Sequence, residues 1–189
     1  MRLIFKILIF LLINLKVFAD IKQYEVEGMS IGDSALKFYS EEEILKNQRN
    51  FFRQKSVKAS EFLEVDGIYD DIQLMYKSKD KTYSIIGISG IIMMNIDKCK
   101  NILDNEAIKI SSSFGSDLKK DYGKRKIKHS YDKSGKSFVI ERKYKFSNND
   151  QLIIACYYWS DKIKNKDGYN DNFRVSLRSK YYSNFLKRE

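Results

Sequence analysis

The residues of this 189-residue chain whose types and spacing could do chemistry are few: one histidine, an acidic triplet, two glycine pairs, two cysteines and one aromatic run. His129, the sole histidine, stands between Lys128 and Ser130 in a polar stretch. Imidazole acts as a general base only with a nucleophile in hydrogen-bond reach and a third group to orient it. No Gly-x-Ser-x-Gly elbow presents a serine to it, so His129 is expected at the surface. Glu41, Glu42 and Glu43 could suggest a carboxylate cluster. Adjacent side chains point apart and cannot converge on one ion, and acids at a helix start are explained by its positive end. Gly28 with Gly32, and Gly87 with Gly90, lack the Gly-Lys-Ser/Thr of a phosphate loop. No catalytic, cofactor or metal residue is assigned on these grounds.

The run Tyr157-Tyr158-Trp159 carries more promise. Strand alternation puts Tyr158 on one face and Tyr157 with Trp159 on the other. Packing in a β-rich core is their expected role. The alternative is a ligand surface formed by Tyr157 and Trp159, which arises if a helix covers one face of the sheet only.

The first nineteen residues supply the context. Arg2 and Lys6 precede an apolar stretch, Ile7 to Leu15, interrupted only by Asn14, and Val17 and Ala19 occupy small-residue positions. That is the pattern of a secretory signal cut before Asp20. The apolar run is shorter than the roughly 20 residues needed to cross a bilayer, so the expectation is a processed chain without a stable span, periplasmic or secreted. An uncleaved anchor is the alternative. In an exported chain Cys99 and Cys156 are expected to form a disulfide, whose 57-position loop corresponds to about 4 kcal/mol in the chain-entropy model. A free buried pair is the alternative. With one His, two cysteines cannot make a zinc site.

The formal charge is +10, with 35 basic and 25 acidic residues. Removing Arg2, Lys6 and Lys16 with the signal leaves an excess of 7. Lys outnumbers Arg 27 to 8, whereas sites that grip phosphate in forks favour Arg. Nucleic acid is not expected as a partner. An anionic envelope component remains compatible with the charge.

The elements that position these residues follow from periodicity. After the signal, residues 20–65 read as an N-terminal arm with short helices. Asp33 or Ser34 caps the first piece, and Ser40 with Glu43 forms a capping box. The stretch 46–61 reads as loop with a short helical or extended piece. Residues 66–189 read as an α+β domain. Ile72, Leu74 and Tyr76 alternate in a strand, paired in a hairpin with the apolar run from Tyr83 to Met94, whose glycines mark a bend or bulge. Ile96, Cys99, Leu103, Ala107, Ile110 and Phe114 recur every three or four residues, which predicts one amphipathic helix capped by Asn95 or Asp97 and stopped at Gly115. Strands follow over 122–131, 137–146, 151–160 and 173–178, with a polar loop at 162–170 and a helical turn near Tyr181 to Leu186. The fold class is α+β: an antiparallel sheet with one helix on a face. Cys99 on the helix and Cys156 on an inner strand then come close enough to bond.

The stretch YEVEGMSIGDSALKFYSEEEI resembles a group of small exported bacterial proteins that begin with a Glu-Gly-Met-Ser-Ile-Gly-Asp-Ser segment soon after the signal peptide. The resemblance covers about twenty residues, implies export, and brings no activity with it. The expected function is a non-catalytic periplasmic protein that binds an envelope protein or an anionic envelope component. The alternatives are an envelope hydrolase, for instance with Glu141 facing another acid, and a small-molecule binder with an aromatic-lined pocket. No cofactor is expected.

Overall fold

The computed structural model describes residues 21, 24–114 and 118–189. The signal expected over residues 1–19 and the helix stop expected at Gly115 lie outside the described residues. Among those described, eight strands are present: β1 (Gln48–Arg49), β2 (Val57–Leu63), β3 (Asp71–Lys77), β4 (Gly87–Met93), β5 (Leu118–Lys128), β6 (Phe138–Phe146), β7 (Gln151–Tyr158) and β8 (Asn172–Arg178). They form one sheet in the order β1-β2-β3-β4-β8-β7-β6-β5, antiparallel at every pairing. Four α-helices accompany them: α1 (Glu41–Lys46), α2 (Ile96–Phe114), α3 (Asp161–Asp167) and α4 (Lys180–Leu186). The fold is α+β, as the alternating patterns require.

Helix α2 spans the segment that its apolar period marks out. Asn95 begins it, its Oδ1 accepting from the Lys98 N–H at 2.9 Å. Cys99, Leu103, Ala107, Ile110 and Phe114 are its buried stripe, and they pack on Ile140, Tyr144, Leu152, Ile154, Phe173 and Val175 of the sheet. Cys99 and Cys156 are disulfide-bonded with their Cα atoms 5.8 Å apart, pinning helix to sheet at this layer. Val26, Met29, Ile31, Ala35 and Ile44 from the N-terminal segment complete the same core. The Ser40–Glu43 capping box is present, and Ser34 caps a single 3-10 turn at Ala35–Lys37. Among the described residues no helix is long and apolar enough to cross a membrane.

Three local readings differ from the structure. The stretch 46–61, read as loop with a short helical or extended piece, supplies β1 and most of β2, which pairs with β3 over its whole length. The boundary expected at 65/66 thus falls between two paired strands. Ser60 masks the strand pattern: it points into the core, where its hydroxyl donates to the Ile44 carbonyl at 2.6 Å and meets the Tyr76 hydroxyl at 3.0 Å. The polar loop expected at 162–170 contains α3, held by buried Ile163 and ended by Gly168 in the left-handed region. Gly87 and Gly90 sit in an unbroken ladder rather than at a bulge. Aromatic rings lie across them instead: a Cβ on Gly90 would strike Tyr69, and one on Gly87 would lie 2.5 Å from the Tyr182 ring. Glycine is where a sheet admits such close approach.

Candidate functional site

Alternation along the inner strands sends a second set of side chains to the face opposite α2. Gln73, Ser89 and Ser176 lie side by side across β3, β4 and β8, with Ser89 and Ser176 hydroxyls 2.8 Å apart. Arg174 and Arg178 flank Ser176 on the same face of β8. Helix α4 covers one end of this face, where Tyr182 and Phe185 pack on Val57, Ala59 and Met75. Burial there pushes the Tyr182 hydroxyl up to about 12. At the other end, the β5–β6 connection and the segment from Trp159 to Tyr169 rise above the sheet. Between them lies a cleft of about 370 Å³, with Glu61, Gln73, Ser89, Arg174 and Arg178 on strands, Phe52 and Tyr182 on one side, and His129, Tyr131, Tyr157, Trp159 and Tyr169 on the other.

A buried polar knot fixes the taller wall. The Asp132 carboxylate accepts the Ser134 N–H and hydroxyl at 2.9 and 2.6 Å, the Ser137 N–H and hydroxyl at 3.0 and 2.6 Å, and the Ser160 hydroxyl at 2.9 Å. Those bonds, Ser134 first, hold its carboxyl well below the usual carboxylate range. They also tie the loop that carries His129 and Tyr131 to the one that carries Trp159. Ser160 spends its hydroxyl here, which explains why α3 starts without a side-chain cap from it. Asp171 accepts the Trp159 N–H at 2.8 Å and the Lys164 ammonium at 2.9 Å.

On this frame the aromatic rings form a continuous wall. Trp159 stacks on Tyr169 at 4.6 Å between centroids, and Tyr131 meets Tyr169 edge-on at 5.6 Å. Tyr157 and Trp159 share the cleft face, 6.3 Å apart, while Tyr158 stacks on Phe138 at 4.7 Å on the other. Alternation placed these three rings correctly, and α2 does leave the Tyr157–Trp159 face uncovered. Trp159 is nonetheless only 6% exposed, so core packing and cleft lining coincide in one residue.

His129, expected at the surface, is half-buried in the cleft wall. The turn at Asp132 folds it, half-buried, onto Trp159, with ring centroids 4.3 Å apart. Its Nδ1 accepts the Tyr131 N–H at 3.3 Å, which leaves the ring proton on Nε2. Burial first, and then the Arg174 charge, lower its pKa below 6.5, so the imidazole is neutral at pH 7.

The cationic groups of the cleft are Arg174 and Arg178. The Arg174 guanidinium lies over the Tyr157 ring at 4.7 Å and its Nη1 donates to Gln73 Oε1 at 3.2 Å. Gln73 Nε2 donates onward to Glu61 Oε1 at 2.6 Å, and Glu61 faces Arg49 at 3.5 Å. Gln73 thus stands between Glu61 and Arg174, which both line the cleft. Among the described residues neither Arg174 nor Arg178 has a carboxylate within ion-pair distance, and Arg174 Nε is buried with no partner. Such a wall and floor suit a flat ligand that brings its own negative charge.

The remaining candidates stand elsewhere. Glu41 accepts the Tyr83 hydroxyl at 2.8 Å and Glu43 closes the capping box, so the triplet diverges. Glu141 pairs with Arg125 across β6 and β5, not with a second acid. Among the described residues no group of three His, Cys, Asp or Glu side chains could hold a metal ion. Comparison with protein-family models, with curated proteins and with solved structures gives no match to this chain.

Arg174, Arg178, Gln73 and Tyr169 are cleft residues that sequence reasoning did not single out. A signal existed for the first two. Arg174, Ser176 and Arg178 alternate with apolar residues on an inner strand, where charge on the second face calls for a partner or a purpose.

Proposed function

We propose that this chain is an exported, non-catalytic binding protein whose aromatic cleft holds a flat, negatively charged component of the cell envelope. One observation carries the proposal: Arg174 lies over the Tyr157 ring beside the Trp159–Tyr169 stack, with no carboxylate in ion-pair distance among the described residues. A guanidinium in that setting keeps donors for a ligand's carboxylate or phosphate, while the rings take its flat body. The cleft also falls in the size range of small-molecule sites. The Cys99–Cys156 disulfide supports an oxidising compartment, in keeping with a leader removed before Asp20. The hydrolase alternative loses its candidate acid, because Glu141 is committed to Arg125.

Trp159 is the chain's only tryptophan, so its emission reads the cleft directly. Titration with 2-naphthoate, a flat monoanion, should change that emission saturably. The neutral isostere 2-naphthalenemethanol should bind at least tenfold more weakly, and Arg174→Gln should erase the difference. Equal affinity for the acid and the alcohol in the unsubstituted protein would refute the proposal.

A further inference from the structure

Beyond Arg178 the cleft floor continues onto the outer half of the sheet, over β7, β6 and β5. Arg178 stands opposite Gln151, Gln151 opposite Lys145, and Lys145 opposite Lys120. Side chains directly opposite one another share a face, so the four form one row on the face away from α2. Lys143, two residues along β6, is on that face too. So is Tyr122, whose ring has the Lys120 ammonium at 4.6 Å, the Lys143 ammonium at 5.4 Å and the Arg125 guanidinium at 5.9 Å. Three strand spacings make this band about 14 Å long, and two residues along β6 make it about 7 Å wide.

Its positive charge is uncompensated. Among the described residues this face of β5 to β8 carries one acid, Glu141, and Arg125 answers it. Asp121 lies on the α2 side with Arg142, and Asp104 of α2 takes Lys124. Among the described residues Lys120, Lys143, Lys145 and Arg178 have no carboxylate within ion-pair distance. Lysines on an edge strand block further pairing, which accounts for those of β5. It does not account for Lys143 and Lys145 on β6 or Arg178 on β8, which are inner strands. Lys143 is half-buried, and burial lowers its pKa, with Arg125 and Arg178 pushing the same way against Glu141. Cations crowded in this way repel one another until an anion lies among them.

The spacing and the neighbours narrow the partner. One phosphate or carboxylate reaches one or two of these cations, so an occupant of the whole band carries charges along its length. Cations about 5 to 10 Å apart match one charge per short repeat. The Tyr122 ring is taken up by its three cations, so neither a sugar ring nor a base finds the open aromatic platform that single-stranded nucleic acid needs. Lysine, a point charge, suits a phosphodiester, whose single negative charge needs no fork. The walls at α4 and at the β5–β6 connection rise above the sheet, so a linear chain reaches the band where a planar bilayer is held off.

We infer that this band is a docking surface for a linear polyol phosphate, a flexible chain of small polyols joined by phosphodiesters. Its successive phosphates face Lys120, Lys145, Lys143 and Arg178. The surface adjoins the aromatic cleft at Arg178 and goes beyond the small-ligand role proposed for it.

Isothermal titration of the disulfide-bonded protein with a synthetic octamer of glycerol phosphate tests this. The inference requires saturable binding that weakens with salt, and at least tenfold weaker binding of glycerol 3-phosphate. Lys143→Gln together with Lys145→Gln should cost at least tenfold in octamer affinity and lower the log–log salt slope by about one to two. Lys124→Gln together with Lys126→Gln removes the same charge from the other face of β5 and should change affinity less than threefold. Unchanged near-ultraviolet circular dichroism shows both variants folded, and both should bind 2-naphthoate as the unsubstituted protein does. Equal losses in the two double variants would show diffuse attraction to net charge and overturn the band. So would tighter binding of octathymidylate than of the octamer, capture by phosphatidylglycerol vesicles without binding of the octamer, or no binding of the octamer at all. None of these outcomes touches the 2-naphthoate site, whose own failure leaves the band standing.

Discussion

The Trp159 and Tyr169 rings stack 19° from parallel with centroids 4.6 Å apart, yet Trp159 is 6% exposed and Tyr169 is 41% exposed. One ring is anchored in the protein and carries the other to the cleft mouth. Trp159 packs against Tyr157 and His129 and is held at its backbone by Asp171. Tyr169 has the stack and Tyr131.

The pair should therefore separate stability from binding. Trp159→Ala is expected to cost about 3–5 kcal/mol, the range for removing a large buried ring. Tyr169→Ala is expected to cost about 1 kcal/mol, the worth of an aromatic pair, while weakening 2-naphthoate at least tenfold. Urea unfolding and titration of both variants check this. Similar losses of stability in the two would show that Tyr169 is structural.

Gly87 should matter for the opposite wall. A Cβ there would lie 2.5 Å from the Tyr182 ring and 2.9 Å from the Met75 methyl, so Gly87→Ala must displace α4 or that ring. The expected cost is about 1–3 kcal/mol, typical of overpacking, together with weaker capture in the cleft. Thermal unfolding and titration of this variant provide the check, and a fully stable Gly87→Ala would contradict the packing described.

The Cys99–Cys156 bond closes a 57-residue separation. Reduction should lower stability by up to about 4 kcal/mol, less where the reduced unfolded chain stays compact. Urea midpoints of oxidised and reduced protein measure it. Cys99→Ala with Cys156→Ala should match the reduced protein to within the cost of the lost sulfur packing.

His129 should give the protein a pH dependence near neutrality. Its pKa is lowered in the fold, by burial and then by Arg174, so below about pH 6.5 the unfolded chain takes up a proton that the native imidazole resists. Stability is therefore full above that pH and falls as pH drops toward the folded value. Asp132, held low chiefly by Ser134 and Ser137, has the same sign in a lower window: its contribution is present above about pH 4 and is lost on further acidification. Urea midpoints from pH 8 to pH 3 should show the upper step and the onset of the lower one, and His129→Gln should remove only the upper one. An unchanged slope between about pH 7 and 5.5 in His129→Gln would contradict the burial of the ring.

Much of this architecture is legible in the residues, for definite reasons. The α2 stripe from Cys99 to Phe114 and the alternation of Phe173, Val175 and Leu177 have one apolar face each, so period alone identifies them. The disulfide follows from placing Cys99 on that stripe and Cys156 on an inner strand. Strand β2 was legible only as a short extended piece because Ser60 is a polar residue satisfied inside the core by Ile44 and Tyr76, partners that no local pattern reveals. Helix α3 escaped because Ile163 is its one buried anchor. Of the cleft, Tyr157 and Trp159 could be placed on a common face, but Arg174 was not legible as a site residue. Its significance is that Glu61 answers to Arg49 and Gln73 instead, a long-range fact. His129 reaches Trp159 only through the Asp132 knot, which joins residues up to 28 positions apart.

The most direct measurement is a map of backbone amide chemical shifts as 2-naphthoate is added to the isotope-labelled, disulfide-bonded protein. The largest saturable shifts should fall on Gln73, Tyr131, Trp159, Tyr169 and Arg174, on the sheet face opposite α2, and should collapse in Arg174→Gln. Shifts concentrated instead on α2 around Leu103 and Ile110, or spread along the lysines of β5, would place binding elsewhere and contradict the cleft as the functional site.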